Sequence, residues 1–137
     1  MFSFNMYPTE EYDRLISFFK ENGISCSKEH FVKAWKITQA EDYLISALIL
    51  GKRNGKYVIE GVATTKLLRK FGMCKVLIKK AKAYAKENGG DAIYIMTDIA
   101  EPFLKLGFSA IENLDEVSDI YSIDDLNESV SILKTGI

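Results

Sequence analysis

The residues whose types and spacing point to chemistry are Gly61-Val62-Ala63-Thr64-Thr65-Lys66-Leu67-Leu68-Arg69-Lys70-Phe71-Gly72-Met73-Cys74. This stretch runs from a β-prone strand end through a basic turn into the start of an amphipathic helix. The amides of such a turn and of the first helical turn have no partners within the helix, the helix dipole adds positive potential, and Arg69 and Lys70 add full charge. The pattern predicts an anion site, and a pyrophosphate is a suitable occupant. The surrounding charge agrees. Between residues 61 and 86 stand Lys66, Arg69, Lys70, Lys75, Lys79, Lys80, Lys82 and Lys86 with no acid among them, whereas residues 112 to 128 carry Glu112, Asp115, Glu116, Asp119, Asp124, Asp125 and Glu128 and no base. The chain total of 18 basic against 19 acidic residues therefore hides a local positive field that would attract a phosphorylated ligand. The competing reading is a solvated basic helix face.

Other chemistries are closed off. One histidine, His30, and two cysteines, Cys26 and Cys74, leave no multi-histidine metal site and no C-x-x-C pair, and H-E-x-x-H, G-x-S-x-G and GKS/GKT phosphate loops are absent from the sequence. Neither a metal nor a hydrolase relay is expected. The 137 residues, 47% of them apolar, fit one globular domain over residues 1–137 that buries a core without staples. Apolar runs such as residues 43–50 fall far short of the ~20 residues a membrane span needs, and the opening MFSFNMYPTEE lacks a signal-peptide pattern. A cytoplasmic protein with no membrane partner is expected.

The elements that must position these residues follow from periodicity. Phe2, Phe4 and Met6 alternate with polar residues as in a short strand, and Thr9 is placed to cap a helix whose Tyr12, Leu15, Ile16 and Phe19 recur at helical spacing before Gly23. A short helix over 27–31 and a strand over 33–38 come next, then a strand over 43–51. Asn54-Gly55 centres a tight turn into a strand over 57–64. Residues 72–88 form the clearest helix, with Met73, Val76, Leu77, Ala81 and Tyr84 on its apolar face. A strand over 92–97 follows, and Asp98 has capping-box spacing to Glu101 for a helix that admits Pro102 in its first turn and ends near Gly107. Residues 108–112 and 117–123 suit a final antiparallel pair, and 124–133 a helical tail. The order βα(α)βββαβαββ implies an α+β domain with a mixed sheet and helices on both faces.

With the elements placed, residues 57–108 resemble the GNAT superfamily of acyl-CoA-dependent N-acyltransferases. Arg69-Lys70-Phe71-Gly72-Met73-Cys74 stands at that family's R-x-x-G-x-G/A, Gly61-Val62-Ala63-Thr64 at the strand end before it, and Phe103-Leu104-Lys105-Leu106-Gly107-Phe108 at its terminal Y-x-x-L-G-F-like element. The resemblance implies a three-layer fold with a mixed, mainly antiparallel sheet of about six to seven strands. It also implies transfer of an acetyl group from acetyl-CoA, or another acyl-CoA, to a primary amine by direct attack in a ternary complex. Carried over, the main chain at Val62, Ala63 and Thr64 would hold the pantetheine arm, the Val62 N–H donating to the thioester oxygen. Arg69, Lys70, Phe71, Gly72, Met73 and Cys74 would hold the pyrophosphate, and Lys75 would meet the 3′-phosphate or simply remain solvated. Two residues depart from the pattern. Phe103 stands where the family often has a tyrosine that protonates the departing thiolate, and Cys74 where a small residue is usual. A stable thiolate leaving group makes loss of the acid a matter of rate. Tyr94 and Tyr121 are alternative acids or core aromatics, and Cys74 is a packed side chain or a thiol activated by its basic, helix-start setting.

Alternation places Val58, Glu60, Val62 and Thr64 on one face of their strand, so Glu60 shares a face with the residues nearest the implied thioester. An acid inside an apolar strand is costly unless paired, which leaves two readings: a general base, or a structural ion pair with a lysine of a neighbouring strand. The implied partner is a small-molecule or peptide amine, the implied state a monomer or homodimer, and nucleic acid is not expected because basic and aromatic residues are not interleaved. A non-catalytic acyl-CoA-binding or sensor module is the alternative that Phe103 favours.

Overall fold

Turn chemistry decides where this chain reverses. The computed structural model describes residues 4–40, 42–69, 72–122, 124, 126 and 129–137. Asn54 and Gly55 take φ of +48° and +83°, the left-handed pair that matches strand twist in a two-residue hairpin. They join β3 (Tyr43–Arg53) to β4 (Lys56–Thr64). The remaining elements are β1 (Phe4–Pro8), α1 (Tyr12–Glu21), β2 (Phe31–Gln39), a 3-10 turn (Lys66–Leu68), α2 (Met73–Glu87), β5 (Ala92–Thr97), α3 (Glu101–Lys105), β6 (Ser109–Ala110), a second 3-10 turn (Leu114–Val117) and β7 (Ser131–Gly136).

Seven strands hydrogen bond in the order β1-β2-β3-β4-β5-β7-β6. Antiparallel ladders join β1 to β2, β2 to β3, β5 to β7 and β6 to β7. β4 and β5 run parallel, with a ladder of Tyr57↔Ile93 and Val58↔Tyr94. The sheet is thus mixed, as the element order implied, and mainly antiparallel, as the family resemblance implied. The chain divides into two compact units, residues 1–51 with 60–81, and residues 52–59 with 82–137.

In the first unit the α1 residues Leu15, Phe18 and Phe19 are buried with Ala34, Ala47 and Ile49, and Ile24, Cys26, Leu44 and Ala63 pack around them. Each large side chain so buried contributes roughly 1.5–3 kcal/mol. α1 closes with paired bonds, the Gly23 N–H to the Lys20 carbonyl and the Ile24 N–H to the Phe19 carbonyl. Phe19 reaches β4 at Gly61, where a Cβ would lie 2.7 Å from the Phe19 ring. In the second unit Val58, Tyr94, Val117, Ile120, Tyr121 and Ile132 form the core. On the opposite face of β4 the Tyr57 ring meets Tyr84 of α2 edge-on at 6.4 Å.

Several expected elements differ. Residues 27–30 form no helix, and β2 starts at Phe31 because its side chain joins the Leu15–Phe19 core instead. Thr9 is not the cap of α1. Glu11 is, and Thr9 Oγ1 accepts from the Glu11 N–H one turn earlier. Asp98 does not cap α3 either: Thr97 Oγ1 takes the Ile99 N–H, so the helix starts after Ala100 with no side-chain cap. Along α2 the buried residues are Met73, Leu77, Ile78, Ala81 and Ala85, while Val76 is 44% exposed. Residues 117–122 of the expected 117–123 strand form a turn instead, whose Val117, Ile120 and Tyr121 fill the second core, and Ile123 lies outside the described residues. Of the expected helical tail, residues 131–133 belong instead to β7, where Ser131–Leu133 pairs with Thr97–Ile95 of β5, and Asp125, Asn127 and Glu128 lie outside the described residues. Phe2 of the expected first strand lies outside the described residues.

The Gly61–Phe19 contact predicts that Gly61→Ala destabilises the chain by about 1–3 kcal/mol in denaturant unfolding through overpacking. Phe19→Leu in the same background should recover part of that loss. Additive losses in the double variant would remove the contact as the cause.

Candidate functional site

The end of β4 is held by a buried polar pair. Ser46 Oγ on β3 donates to the Ala63 carbonyl at 2.9 Å and lies 2.8 Å from Thr64 Oγ1, and both side chains are buried. The Thr65 N–H continues the ladder to the Ile45 carbonyl at 2.8 Å. Arg69 then folds back, its Nε donating to the Thr64 carbonyl at 3.0 Å and its Nη2 to Asn22 Oδ1 at 3.4 Å. The Arg69 guanidinium is therefore a brace for the strand end, and the Thr64 hydroxyl belongs to the core. Val62 and Ala63 are half-buried.

Past the turn, Gly72 takes φ +76° and a Cβ added there would meet nothing within 4 Å. Its carbonyl accepts the Val76 N–H at 3.3 Å, so α2 starts here, and the N–H groups of its first turn have no intrahelical acceptor. Met73 is buried and packs inward. Burial pushes the Cys74 thiol up to about 11, which overturns the activated-thiol reading: desolvation outweighs the helix start, and the group stays protonated at neutral pH. Lys75 is exposed, and among the described residues no ion pair involves Lys66, Lys75, Lys79, Lys80, Lys82 or Lys86. Lys70 and Phe71 lie outside the described residues.

Glu60 is half-buried on the face opposite Phe19. Its carboxylate crosses Gly51 so closely that a Cβ on Gly51 would sit 2.4 Å from Glu60 Oε1. Gly51 makes room for this acid, a role that only the pairing of β3 with β4 reveals.

The candidate acids sort clearly within the second unit. Phe103 is buried edge-on to Phe108, with ring centroids 5.7 Å apart. The Tyr94 hydroxyl donates to Glu116 Oε2 at 2.6 Å, and burial, reinforced by that carboxylate, raises its pKa. Tyr121 is buried beneath the Arg53 guanidinium, 5.5 Å from its ring centroid. Both tyrosines are core residues. The acidic stretch is likewise used structurally: Glu116 binds Lys134 at 2.5 Å, and Asp119 binds Lys56 at 3.1 Å and Asn54 at 3.0 Å. Those partners hold both carboxyls below their usual ranges. Asp125 and Glu128 lie outside the described residues. Trp35 is buried, and His30 is half-exposed beside Glu29.

The sequence did not mark a cleft of about 640 Å³ in the first unit, lined by α1 at Arg14, Ser17, Phe18 and Glu21, by the β2–β3 turn at Asp42 and Tyr43, and by Thr65. The spacing 14, 17, 18, 21 is one helical stripe, but its partner wall exists only once the hairpin returns. Arg14 binds Asp42 Oδ2 at 2.7 Å and its carbonyl at 2.5 Å. Lys36 bonds Glu11 and reaches Asp42 at 3.2 Å. The Glu11 bond holds the Lys36 pKa up, Lys36 holds Glu11 down, and Arg14 holds Asp42 down.

Among the described residues no cluster of three or more His, Cys, Asp or Glu could hold a metal, and no helix is long and apolar enough to cross a membrane. No protein-family model matches the sequence, and no curated protein does. Solved structures match closely in shape. An acetyltransferase of the GNAT family from Staphylococcus aureus Mu50 superposes with a TM-score of 0.76 at 17% identity, covering 98% of this chain and 99% of that one. The fold is that of the GNAT acetyltransferases. The ribosomal-protein-S18-alanine N-acetyltransferase from Escherichia coli gives 0.70 at 14% identity over 98% and 94% of the two chains. A GNAT family N-acetyltransferase from Escherichia coli, solved with CoA, gives 0.66 at 12% identity over 99% and 82%. Against these GNAT folds the likeness is one of backbone, because so few side chains are shared.

The Glu11–Lys36–Asp42–Arg14 network carries a pH prediction. Asp42 and Glu11 have folded pKa values below their unfolded ones, so their stabilisation is present at neutral pH and is lost as pH falls through the folded values. Asp42→Asn should lower Tm at neutral pH, and the gap should close as pH drops below about 4. A gap of constant size across that range would show that the network does not stabilise through charge.

Proposed function

We propose that the chain is an acyl-CoA-dependent N-acetyltransferase, acting over residues 1–137 as one domain in the cytoplasm. The observation that carries this reading is the conjunction, at one strand end, of an open left-handed glycine, a helix start and a braced β4 terminus, on a GNAT fold. A Cβ added at Gly72 would meet nothing within 4 Å among the described residues beyond its chain neighbours, so space and the amides of a helix start coincide where a diphosphate would rest. The amides of residues 72–75 would bind it, with Arg69 holding the loop and Lys70, Phe71, Met73 and Cys74 completing its main chain. Lys75 would screen a further phosphate.

The ladder between β4 and β5 comprises only Tyr57↔Ile93 and Val58↔Tyr94, which leaves the backbone at Val62, Ala63 and Thr64 outside it. Those groups suit strand-like pairing with an extended amide-bearing arm. Acyl-CoA supplies the thioester. The Val62 N–H donates to the carbonyl oxygen as negative charge gathers there, Glu60 takes the proton that the attacking amine releases, and the C–N bond forms as the C–S bond breaks. The departing thiolate takes its proton from solvent, since Phe103 has none to give. The acceptor is a small-molecule or peptide amine.

A second reading, a non-catalytic acyl-CoA-binding module, draws on the buried, protonless Phe103. Two measurements separate the possibilities. Acetyl-CoA should raise Tm, by RT ln(1 + [L]/Kd) in free energy, and Gly72→Ala should weaken that binding about tenfold or more. Gly89→Ala, which imposes a similar positive-φ strain (φ +84°) with nothing within 4 Å, should leave it intact. Equal losses in the two variants would remove the loop from the site. Thiol release with a panel of amines then decides catalysis: Glu60→Gln should lower kcat about 100-fold with little change in acetyl-CoA affinity. An unchanged rate would take Glu60 out of the reaction, and no release with any amine would favour the binding module.

A further inference from the structure

Asparagine followed by glycine occurs three times in the chain, at Asn22-Gly23, Asn54-Gly55 and Asn88-Gly89. The pair has an intrinsic chemistry. Once the glycine N–H loses its proton, the nitrogen can attack the asparagine Cγ, and a residue without a side chain leaves that approach open. The three glycines are sterically alike. Their φ values are +81°, +83° and +84°, and a Cβ added at any of them would meet nothing within 4 Å among the described residues beyond its chain neighbours. Hydrogen bonding separates them. The Gly23 N–H donates to the Lys20 carbonyl at 3.1 Å and the Gly89 N–H to the Lys86 carbonyl at 3.2 Å, each just past the end of a helix. Their asparagines are held as well, Asn22 Nδ2 on the Phe18 carbonyl and Asn88 Nδ2 on the Tyr84 carbonyl, both at 2.8 Å. Gly55 lies in the turn between β3 and β4, and among the described residues its N–H has no acceptor. Asn54 is exposed and makes one side-chain bond, from Nδ2 to Asp119 Oδ2 at 3.0 Å.

We propose that Asn54 is a site of spontaneous deamidation, and that the helix ends protect Asn22 and Asn88 from the same reaction. Water takes the Gly55 amide proton, the nitrogen bonds to Asn54 Cγ, and the Cγ–Nδ2 bond breaks as ammonia leaves with a proton regained from water. The cyclic imide so formed adds water at either carbonyl and reopens to aspartate or isoaspartate. The net change is amide plus water to carboxylate plus ammonium. Its consequence is local. The donor that Asn54 gives to Asp119 becomes a second carboxylate facing the first, beside Lys56, which already pairs with Asp119 at 3.1 Å. Isoaspartate also moves a side-chain methylene into the main chain of the turn that sets the β3–β4 register. None of this rests on the acyltransferase reading.

The test is site-resolved mass spectrometry of the full chain held at mildly alkaline pH, native and in guanidinium chloride, following conversion of each asparagine to its acid and isoaspartyl forms. In the native protein position 54 should convert about fivefold or more faster than position 22 or 88, the factor supplied by one further N–H bond that must first be broken. In denaturant the three rates should converge, because each glycine N–H is then solvated. Equal native rates, a faster rate at 22 or 88, no native conversion at 54 while the denatured chain converts, or a spread that persists in denaturant overturns the proposal. Asn54→Asp, which supplies the aspartate product directly, should lower Tm relative to the wild type at low salt, and the deficit should shrink at high salt as the facing carboxylates are screened. No deficit, or one that salt leaves unchanged, overturns the electrostatic consequence.

Discussion

The candidate chemistry depends on one buried interaction, the Ser46–Thr64 hydroxyl pair with its bond to the Ala63 carbonyl. A strand that ends in polar residues would ordinarily fray into solvent. Here two hydroxyls that leave water satisfy each other and a carbonyl, and breaking the set would strand a buried polar group at a cost of about 1–3 kcal/mol. That fixes β4 to β3 up to its last residue. The Arg69 bond to the Thr64 carbonyl then fixes where the following turn departs. A family-signature arginine is thus read here as a structural brace, which moves the burden of anion binding from side-chain charge to backbone amides.

The same unit shows how a strand face is divided. Gly61 admits the Phe19 ring on one side, and Gly51 admits the Glu60 carboxylate on the other. Two glycines whose Cβ positions are already occupied let an aromatic core and a partly buried acid share one short length of sheet.

Local signals carried much of the fold. The Asn54-Gly55 turn, the α1 periodicity and the 92–97 strand are decided within a few residues, so their chemistry is readable without the rest of the chain. The errors came where distance matters. Residues 117–121 take the conformation that lets Val117, Ile120 and Tyr121 join the second core, and the polar stretch 27–30 is a turn set by Phe31, which packs on the first. The tail was misread because Ile132 and Leu133 suit a helix face as well as a strand, and only β5 supplies the edge that makes β7. At the site, Gly72 is legible from its place before a helix, whereas the roles of Arg69 and Thr64 and the cleft at Glu21 depend on residues more than 20 positions away or on the return of a hairpin.

Charge segregation sharpens the reading of Phe103. The acidic 112–119 stretch is used in structure, with Glu116 and Asp119 on Lys134 and Lys56 and with the Tyr94 proton held by Glu116. Tyr94 is not placed to release a proton easily, since its phenolate would have to form beside a carboxylate within an apolar cluster. Under the proposed acyl transfer, protonation of the departing thiolate falls to water. A thiolate is a good enough leaving group for the C–S bond to break without concerted protonation, so the group whose pKa governs the rate is the one that accepts the amine proton. On this reading the chemistry of the chain is weighted toward its base, Glu60, and a buried phenylalanine at the acid position is compatible with turnover.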